Sequence, residues 1–339
     1  MRAVALDFAA RALEERAVRE PAVLGPHEVL FRVEEVGICG TDRELVAFLL
    51  GEPPPGESHL ILGHEAVGTV VETGSAVTGL QPGDLVAPMI RRPCSPACRS
   101  CARGRADLCL TGRFAERGIF RRHGYLTDYA VDEEQYLVRV PPALAEVAVL
   151  AEPLSVVEKA IATALRLREE PPASALVLGA GPIGVLAALA LLSRSVAVTV
   201  YSLEPPDHPR ARLVERAGAG YMTVLAGKFD LVIEATGSPA AALAAIHSLG
   251  PLGVCVILGA KSAGGPIPLL DLIVGNQIVF GSVNSSPASF AQAIHDLARF
   301  DPAVTASLIH RAGFADFRRT LTEPVPSVSK WVHVLSSPL

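Results

Sequence analysis

Ala175-Leu-Val-Leu-Gly179-Ala-Gly181-Pro-Ile-Gly184-Val-Leu186 is the stretch on which the reading of this chain turns. Four apolar residues run into three glycines spaced G-x-G-x-x-G, and an Ala/Leu-rich segment follows. The pattern predicts a strand turning tightly into a helix. The first glycine permits the turn, the second lets a pyrophosphate approach the backbone, and the third lets helix pack on strand. The unpaired N–H groups of the first helical turn would then face the phosphate. In a chain with 29 glycines the motif alone says little. Its surroundings carry the argument: segments 196–201, 209–217, 229–235, 239–249, 252–258 and 277–283 alternate between strand-like and helix-like composition, as βαβ units on a parallel sheet require.

About twenty residues past the glycines, an acid at the end of the second strand would bind a ribose 2′-hydroxyl. Tyr201-Ser-Leu-Glu204-Pro-Pro places Glu204 there, with no arginine before Arg210, so a 2′-phosphate would meet a carboxylate. NAD is therefore favoured over NADP, a preference that Arg210 or Arg212 would reverse by swinging in. Upstream, residues 1–150 break into short Val-rich runs (28–36, 68–73, 84–88, 125–131, 135–140) that read as mainly β. The tail from 285 is too short for a core of its own and is expected to pack back on the first domain.

The chain has 339 residues, 50% of them apolar, which suits two domains with real cores and rules out long disorder. A net charge of −5 gives no global attraction to nucleic acid or anionic lipid. Residues 171–193 carry no charge, but the glycines at their centre argue for a strand, turn and helix rather than a membrane span. No secretory pattern opens the sequence, so reduced cysteines and a cytoplasmic location are expected.

Four of the six cysteines fall together, Cys94-x3-Cys98-x2-Cys101-x7-Cys109, a spacing that folds around a tetrahedral ion with thiolate arms. Such a closed set reads as a structural zinc site. Cys255, in an apolar run, reads as a core residue. Cys39 stands apart in Gly37-Ile-Cys39-Gly-Thr41-Asp42 and is followed by Gly63-His64-Glu65. A thiolate and an imidazole suit zinc, and with no further cysteine free a third ligand must be a carboxylate or water.

Gly63-His-Glu-Ala-Val-Gly68 with Gly74 and Val77, the Cys39 motif, the four-cysteine lobe and the later glycine turn occur in the order found in the zinc-dependent medium-chain alcohol dehydrogenases, and the chain resembles that family along essentially its whole length. Within it, Cys39-Gly-Thr-Asp-Arg-Glu44, Thr111-Gly-Arg-Phe-Ala-Glu116, Glu152-Pro-Leu-Ser-Val-Val-Glu158-Lys159 and Gly281-Ser-Val-Asn284-Ser look like stretches of the microbial glucose 1-dehydrogenases. The lobe departs from the usual spacing by one residue between Cys94 and Cys98. The resemblance implies an α/β protein. It would have a GroES-like, mainly-β catalytic domain over 1–155 carrying the zinc lobe at 91–113, a Rossmann domain with a doubly wound parallel sheet over 156–284, and a return segment at 285–339. The active-site cleft would lie where the two domains meet.

It also implies roles. Cys39 and His64 match catalytic zinc ligands; Glu65 and Glu152 match carboxylates that reach the metal directly or through water. Thr41 matches the hydroxyl that takes the substrate proton, and Asp42 the partner that orients His64. Glu116, Glu152 and Asn284 match sugar-hydroxyl contacts, and Gly179, Gly181, Pro182, Ile183, Gly184, Ser202, Glu204 and Thr236 the cofactor contacts. The implied reaction oxidises an aldose, D-glucose foremost, at C1 to the lactone, with hydride passing to NAD(P)+. Glu116 has a plainer alternative, a salt bridge to a neighbouring arginine such as Arg113 or Arg117. A polyol or simple alcohol dehydrogenase on the same scaffold is the competing activity. The nine arginines between 91 and 122 raise a remoter one, a zinc lobe that binds nucleic acid. No nucleic-acid or membrane partner is expected, and the family implies a homodimer or tetramer, with 277–283 as the edge strand that pairs.

Overall fold

The structure is a computed structural model that describes residues 1–21, 25–259, 267, 269–323 and 330–335. The chain forms two units. The first holds Met1–Glu152 with the described parts of Ile309–Val325 and Lys330–Leu339; the second holds Pro153–Leu308. Residues 285–308, expected in the return segment, thus group with the second unit. The helix in this stretch is Pro287–Leu297, and its Phe290, Ala293 and Leu297 are buried.

The first unit opens with a hairpin of β1 (Arg2–Asp7) and β2 (Ala12–Ala17). The long β3 (Glu28–Gly37) then leads into helix α1 (Gly40–Val46). Strand β4 (His59–Ile61) pairs with β1, while β5 (Glu65–Thr73) runs back along β3. Strands β6 (Leu85–Pro88), β7 (Arg91–Arg92), β8 (Ala115–Arg117), β9 (Arg121–Arg122), β10 (Tyr129–Glu133) and β11 (Leu137–Arg139) follow. β7, β8 and β9 form a small sheet of their own. β3 alternates buried Val29, Phe31 and Val33 with the partly exposed Glu28, Leu30, Arg32 and Glu34, the period-two pattern of a half-buried strand. Its Phe31 packs in the core with Leu6, Leu60, Leu62 and Tyr125, each such side chain contributing roughly 1.5–3 kcal/mol by leaving water.

The second unit begins along helix α2 (Ala151–Arg166) and continues through β12 (Ser174–Leu178), α3 (Pro182–Leu192), β13 (Ala197–Tyr201), α4 (Pro209–Arg216), β14 (Gly220–Met222), β15 (Phe229–Glu234), α5 (Pro239–His247) and β16 (Leu249–Ile257). Helix α6 (Leu269–Gly275), β17 (Ile278–Gly281) and α7 (Pro287–Leu297) follow. The sheet order is β14-β13-β12-β15-β16-β17, every pairing parallel, with Cys255 in its core as expected. The chain then returns to the first unit as β18 (Ile309–Gly313) and β19 (Lys330–Val334), and β19 pairs antiparallel with β3.

The deciding stretch folds as read: β12 ends at Leu178, Gly179 takes φ +108°, and Gly181 precedes Pro182 at the first position of α3. A side chain on Gly184 would collide with the Gly179 carbonyl, so helix and strand meet this closely only at glycine. The expected strand over 125–131 begins instead at Tyr129, because Tyr125 and Leu126 are committed to Gly63 and Leu62 through backbone hydrogen bonds of 2.9 and 2.8 Å.

Candidate active site

β3 and β5 pair with Gly37 opposite Glu65, which sets Cys39, just past the end of one strand, beside His64, just before the start of the other. A side chain on Gly37 would strike the Glu65 carboxylate. Cys39 caps α1: its sulfur accepts the Thr41 N–H at 3.2 Å, and Asp42 returns the bond by accepting the Cys39 N–H at 2.8 Å. The same Asp42, fully buried, places its other oxygen 3.3 Å from His64 Nδ1, while His64 Nε2 lies 3.1 Å from Cys39 Sγ. One short helix start thus fixes the thiol, the carboxylate and the orientation of the imidazole together.

The electrostatics follow from burial and proximity. Burial opposes charge on both partners, but their mutual attraction outweighs it. Asp42 is held below its usual range, and Asp42 with Cys39 raises His64 well above its own. Lys330, at the start of β19, is ion-paired with Glu65; burial pulls its ammonium down to about 8 against the pull of Cys39 and Asp42. Glu152, in the first turn of α2, is pushed up to about 7 by burial, with Glu116 and Asp42 adding to the rise and His64 opposing it.

The ligand-type atoms of Cys39, His64 and Glu65 all lie within 4.8 Å of one another. A thiolate, an imidazole turned by a carboxylate on its far nitrogen and one further oxygen fit zinc, and three protein donors leave a position open for substrate. Glu152 stands outside that group of three, although its carboxyl feels His64.

The four lobe cysteines also bring their sulfurs within 4.8 Å of one another, with Cys94 and Cys101 3.7 Å apart, so the extra residue between Cys94 and Cys98 is absorbed. Backbone N–H groups point at sulfur: Cys98 to Cys94 at 3.3 Å and Leu110 to Cys98 at 3.5 Å. The amides of Cys101 and Leu110 lower Cys98 to about 6. At Cys109 burial is outweighed by Thr111, which brings that thiol to about 7, whereas burial lifts Cys101 to about 12. Four sulfurs at one point with thiolate-stabilising amides fit a closed tetrahedral metal site.

In the second unit a cleft of about 470 Å³ opens at the glycine turn, lined among others by Gly179, Gly181, Ser202, Glu204 and Thr236. The Ser202 hydroxyl and the Arg210 guanidinium both bond the Glu204 carboxylate and, outweighing burial, hold it below its usual range. Tyr221 fixes the same residue by donating to its carbonyl at 2.8 Å. Thr236 is held by the buried Glu234, which accepts its N–H at 2.7 Å and its hydroxyl as well.

Two families cover most of the chain: "Alcohol dehydrogenase GroES-like domain" matches residues 25–142 and "Glucose dehydrogenase C-terminus" residues 145–326. Glucose 1-dehydrogenase 1 of Vulcanisaeta moutnovskia is 43% identical over 286 residues, 80% of this chain and 81% of the relative. Glucose 1-dehydrogenase of Thermoproteus tenax is 38% identical over 327 residues, 93% and 90% of the two chains. Haloferax mediterranei glucose dehydrogenase, solved in complex with NADP, zinc and gluconolactone, superposes with a TM-score of 0.91 at 29% identity, covering 100% of both chains. This chain belongs to the glucose dehydrogenase family.

Against the family pattern, Glu116 proves to be ion-paired, as its plainer alternative required, but with neither arginine named for it. Its partner is Arg91, at 3.2 Å across the β7–β8 ladder, and the Arg91 guanidinium lies 3.9 Å from the Phe114 ring centre. Arg117 turns inward to Asp132 instead. Of the nine arginines of this region, Arg91, Arg92, Arg105, Arg117, Arg121 and Arg122 pair with carboxylates of the protein, which accounts for much of the basic run without a polyanion. Asn284 is buried in the second unit with φ +64°.

Three features were not found from sequence. Lys330 stands alone in an apolar strand, and only the β19–β3 pairing reveals its target. Glu234, at the end of β15, looked like any strand-end acid. Glu57, His59 and His123 gather beside β4, both imidazole Nε2 atoms on one Glu57 oxygen at 3.4 and 3.1 Å. Because His123 Nδ1 accepts the Ile61 N–H at 3.2 Å, the neutral ring carries its proton on Nε2, so this group is a hydrogen-bonded brace rather than a metal cage. No helix among the described residues is long and apolar enough to cross a membrane.

Proposed function

We propose that this chain is a zinc-dependent aldose 1-dehydrogenase that oxidises D-glucose at C1 to the lactone, with NAD(P)+ as electron acceptor. The observation that carries the proposal is the Cys39–His64–Glu65 group. It is oriented by Asp42 and braced by Lys330, in a chain 43% identical to a glucose 1-dehydrogenase. Cys39, His64 and Glu65 would hold the zinc, which would supply a Lewis acid for the C1 hydroxyl, and a nicotinamide cofactor bound at the glycine turn would supply the hydride acceptor. Asp42 keeps His64 with its Nε2 lone pair turned to the metal side. Lys330 holds Glu65 by its carboxylate, and Glu152, which burial pushes up to about 7, is a carboxyl suited to exchange a proton near neutral pH. Thr41, between Cys39 and Asp42 in chain order, is assigned the hydroxyl that takes the C1–OH proton. Glu116, Glu152 and Asn284 are assigned the sugar hydroxyls, which carboxylates and amides can pair one by one.

For the cofactor, the glycine turn would hold the pyrophosphate, with Pro182, Ile183 and Gly184 opening the helix behind it. Glu204 at the end of β13 supports NAD over NADP: its carboxylate is kept ionised, and Arg210 is already paired with it. Among the described residues β17 ends the sheet, and this edge with the exposed Leu269, Leu270, Ile273 and Val274 of α6 supports a homodimer or tetramer, to be read by sedimentation, where a monomer would refute it. Six free thiols, four of them in one metal-type set, suit the cytoplasm.

A panel of D-glucose, other aldoses, polyols and simple alcohols, each with NAD and NADP and followed by reduced-nicotinamide absorbance, tests the whole reading. Glucose should give the highest kcat/KM, and NAD should exceed NADP. A polyol or simple alcohol in first place would overturn the activity, and a ratio favouring NADP would overturn the role of Glu204.

A further inference from the structure

Helix α2 carries two consecutive charged residues, Glu158 and Lys159, both buried. Neighbours on a helix point about 100° apart, so they reach different partners. Glu158 bonds Arg194 at 2.5 Å, and Arg194 in turn meets Asp296 of α7 at 3.1 Å. Lys159, only 8% exposed, sends its Nζ to the carbonyl of Val283 at 2.5 Å, across 124 residues of sequence. Burying an ammonium is costly unless it is paired or bonded, so a lysine in this place needs a reason.

The acceptor supplies one. The Val283 carbonyl belongs to the peptide group whose N–H is that of Asn284, so the bond from Lys159 fixes the plane from which Asn284 springs. Asn284 sits in the left-handed region at φ +64°, a conformation uncommon for a non-glycine residue and kept where neighbours hold it. Its Oδ1 accepts the Ser285 N–H at 2.8 Å, which fixes the carboxamide plane and hence the direction of the Nδ2 donors. Two residues on, Ser286 caps α7 by exchanging bonds with Ser289. The turn from 283 to 286 is therefore pinned at both ends, by Lys159 and by the cap.

We infer that Lys159 is a positioning residue for sugar recognition: by holding the Val283–Asn284 peptide it aims the Asn284 amide donors at a substrate hydroxyl oxygen. This rests on the reading of Asn284 as a sugar contact. Lys159 touches neither substrate nor cofactor in this role; it acts through the backbone.

The test compares Lys159→Met with Asn284→Ala and Glu158→Gln in the full-length, metal-loaded enzyme. Lys159→Met should raise KM for glucose about tenfold while kcat falls less than threefold and KM for the cofactor stays unchanged. Asn284→Ala should shift KM in the same direction, and the double variant should add little, because both remove one interaction. Glu158→Gln should lower the melting temperature and leave KM for glucose within twofold, since it loosens α7 without reaching the turn. If Lys159→Met does not fold, Lys159→Gln, whose shorter amide falls short of the carbonyl, should raise KM at least threefold. Wild-type KM in the folded Lys159 variant, with Asn284→Ala impaired, would overturn the positioning role. An equal KM shift in Glu158→Gln would overturn it too, by showing general loosening. Wild-type KM in Asn284→Ala would instead remove the sugar contact on which the inference rests.

Discussion

The first unit contains two metal-type sites built on opposite plans. In the lobe, four sulfurs come from 16 consecutive residues, Cys94 to Cys109, folded by 3-10 turns at Cys101–Arg103 and Ala106–Leu108. Every donor is the same, and backbone amides prepare the thiolates. In the active site, the donors differ in kind and come from the ends of separate strands. Each is held from behind: His64 by the Asp42 side chain, Cys39 by the backbone at the start of α1, Glu65 by the Lys330 side chain. A closed set of like ligands binds an ion as part of folding, whereas a mixed set with three donors leaves room for chemistry and must be oriented from behind. The lobe needs only a short loop; the candidate active site needs β3, β5, β19 and α1 brought together.

That contrast breaks if the two cysteines behave alike. Cys39→Ser should lower kcat by at least about a thousandfold, with far-UV dichroism and cofactor binding retained; global unfolding would make Cys39 a structural residue. Cys101→Ser should do the reverse. It should cost about one bound zinc per chain and several degrees of melting temperature, with catalysis lost only as the fold loosens. An unchanged melting temperature and metal content would remove the lobe from the list of metal sites.

Acid sharpens the comparison with a smaller effect. Before metal binds, His64 holds its proton more tightly than an ordinary histidine, because Asp42 and Cys39 favour the cation. Cys98 and Cys109 hold theirs less tightly than ordinary thiols, at about 6 and 7. A depressed thiol pKa contributes stability that is full above pH 9 and is lost progressively as pH falls toward 7 to 6, where Cys98 and Cys109 take up protons. A raised histidine pKa lets protons compete with metal at the Cys39–His64–Glu65 group as well. Titration from pH 8 downward with a colorimetric chelator should therefore release metal from both sites, with activity falling as the Cys39–His64–Glu65 group empties. Full retention of metal down to about pH 5 would contradict the assignment.

What sequence could deliver depended on how local each feature is. The glycine turn, the four-cysteine lobe and the Cys39/His64 motifs are set by residues close in the chain, and they were legible. Pairings chosen by tertiary contact were not. Arg91 rather than Arg113 or Arg117 reached Glu116, because the β7–β8 register places those two residues opposite each other. The start of β10 moved to Tyr129 because Tyr125 is bound elsewhere; its hydroxyl donates to Asp132 at 2.5 Å. Residues 285–308 left the return segment because α7 buries its apolar face in the second unit, a choice that composition alone does not record.

Strand β19 lies on β3 and delivers Lys330 to Glu65. During synthesis, Cys39, His64 and Glu65 leave the ribosome some 265 residues before that lysine does. Until then residues 35–37 of β3, beyond the stretch that β10 covers, lack the strand that pairs with them and Glu65 lacks the Lys330 ammonium, so this end of the nascent catalytic half waits while the nucleotide-type half is completed in between. Maturation of the pocket is thereby tied to synthesis of the chain through residue 330.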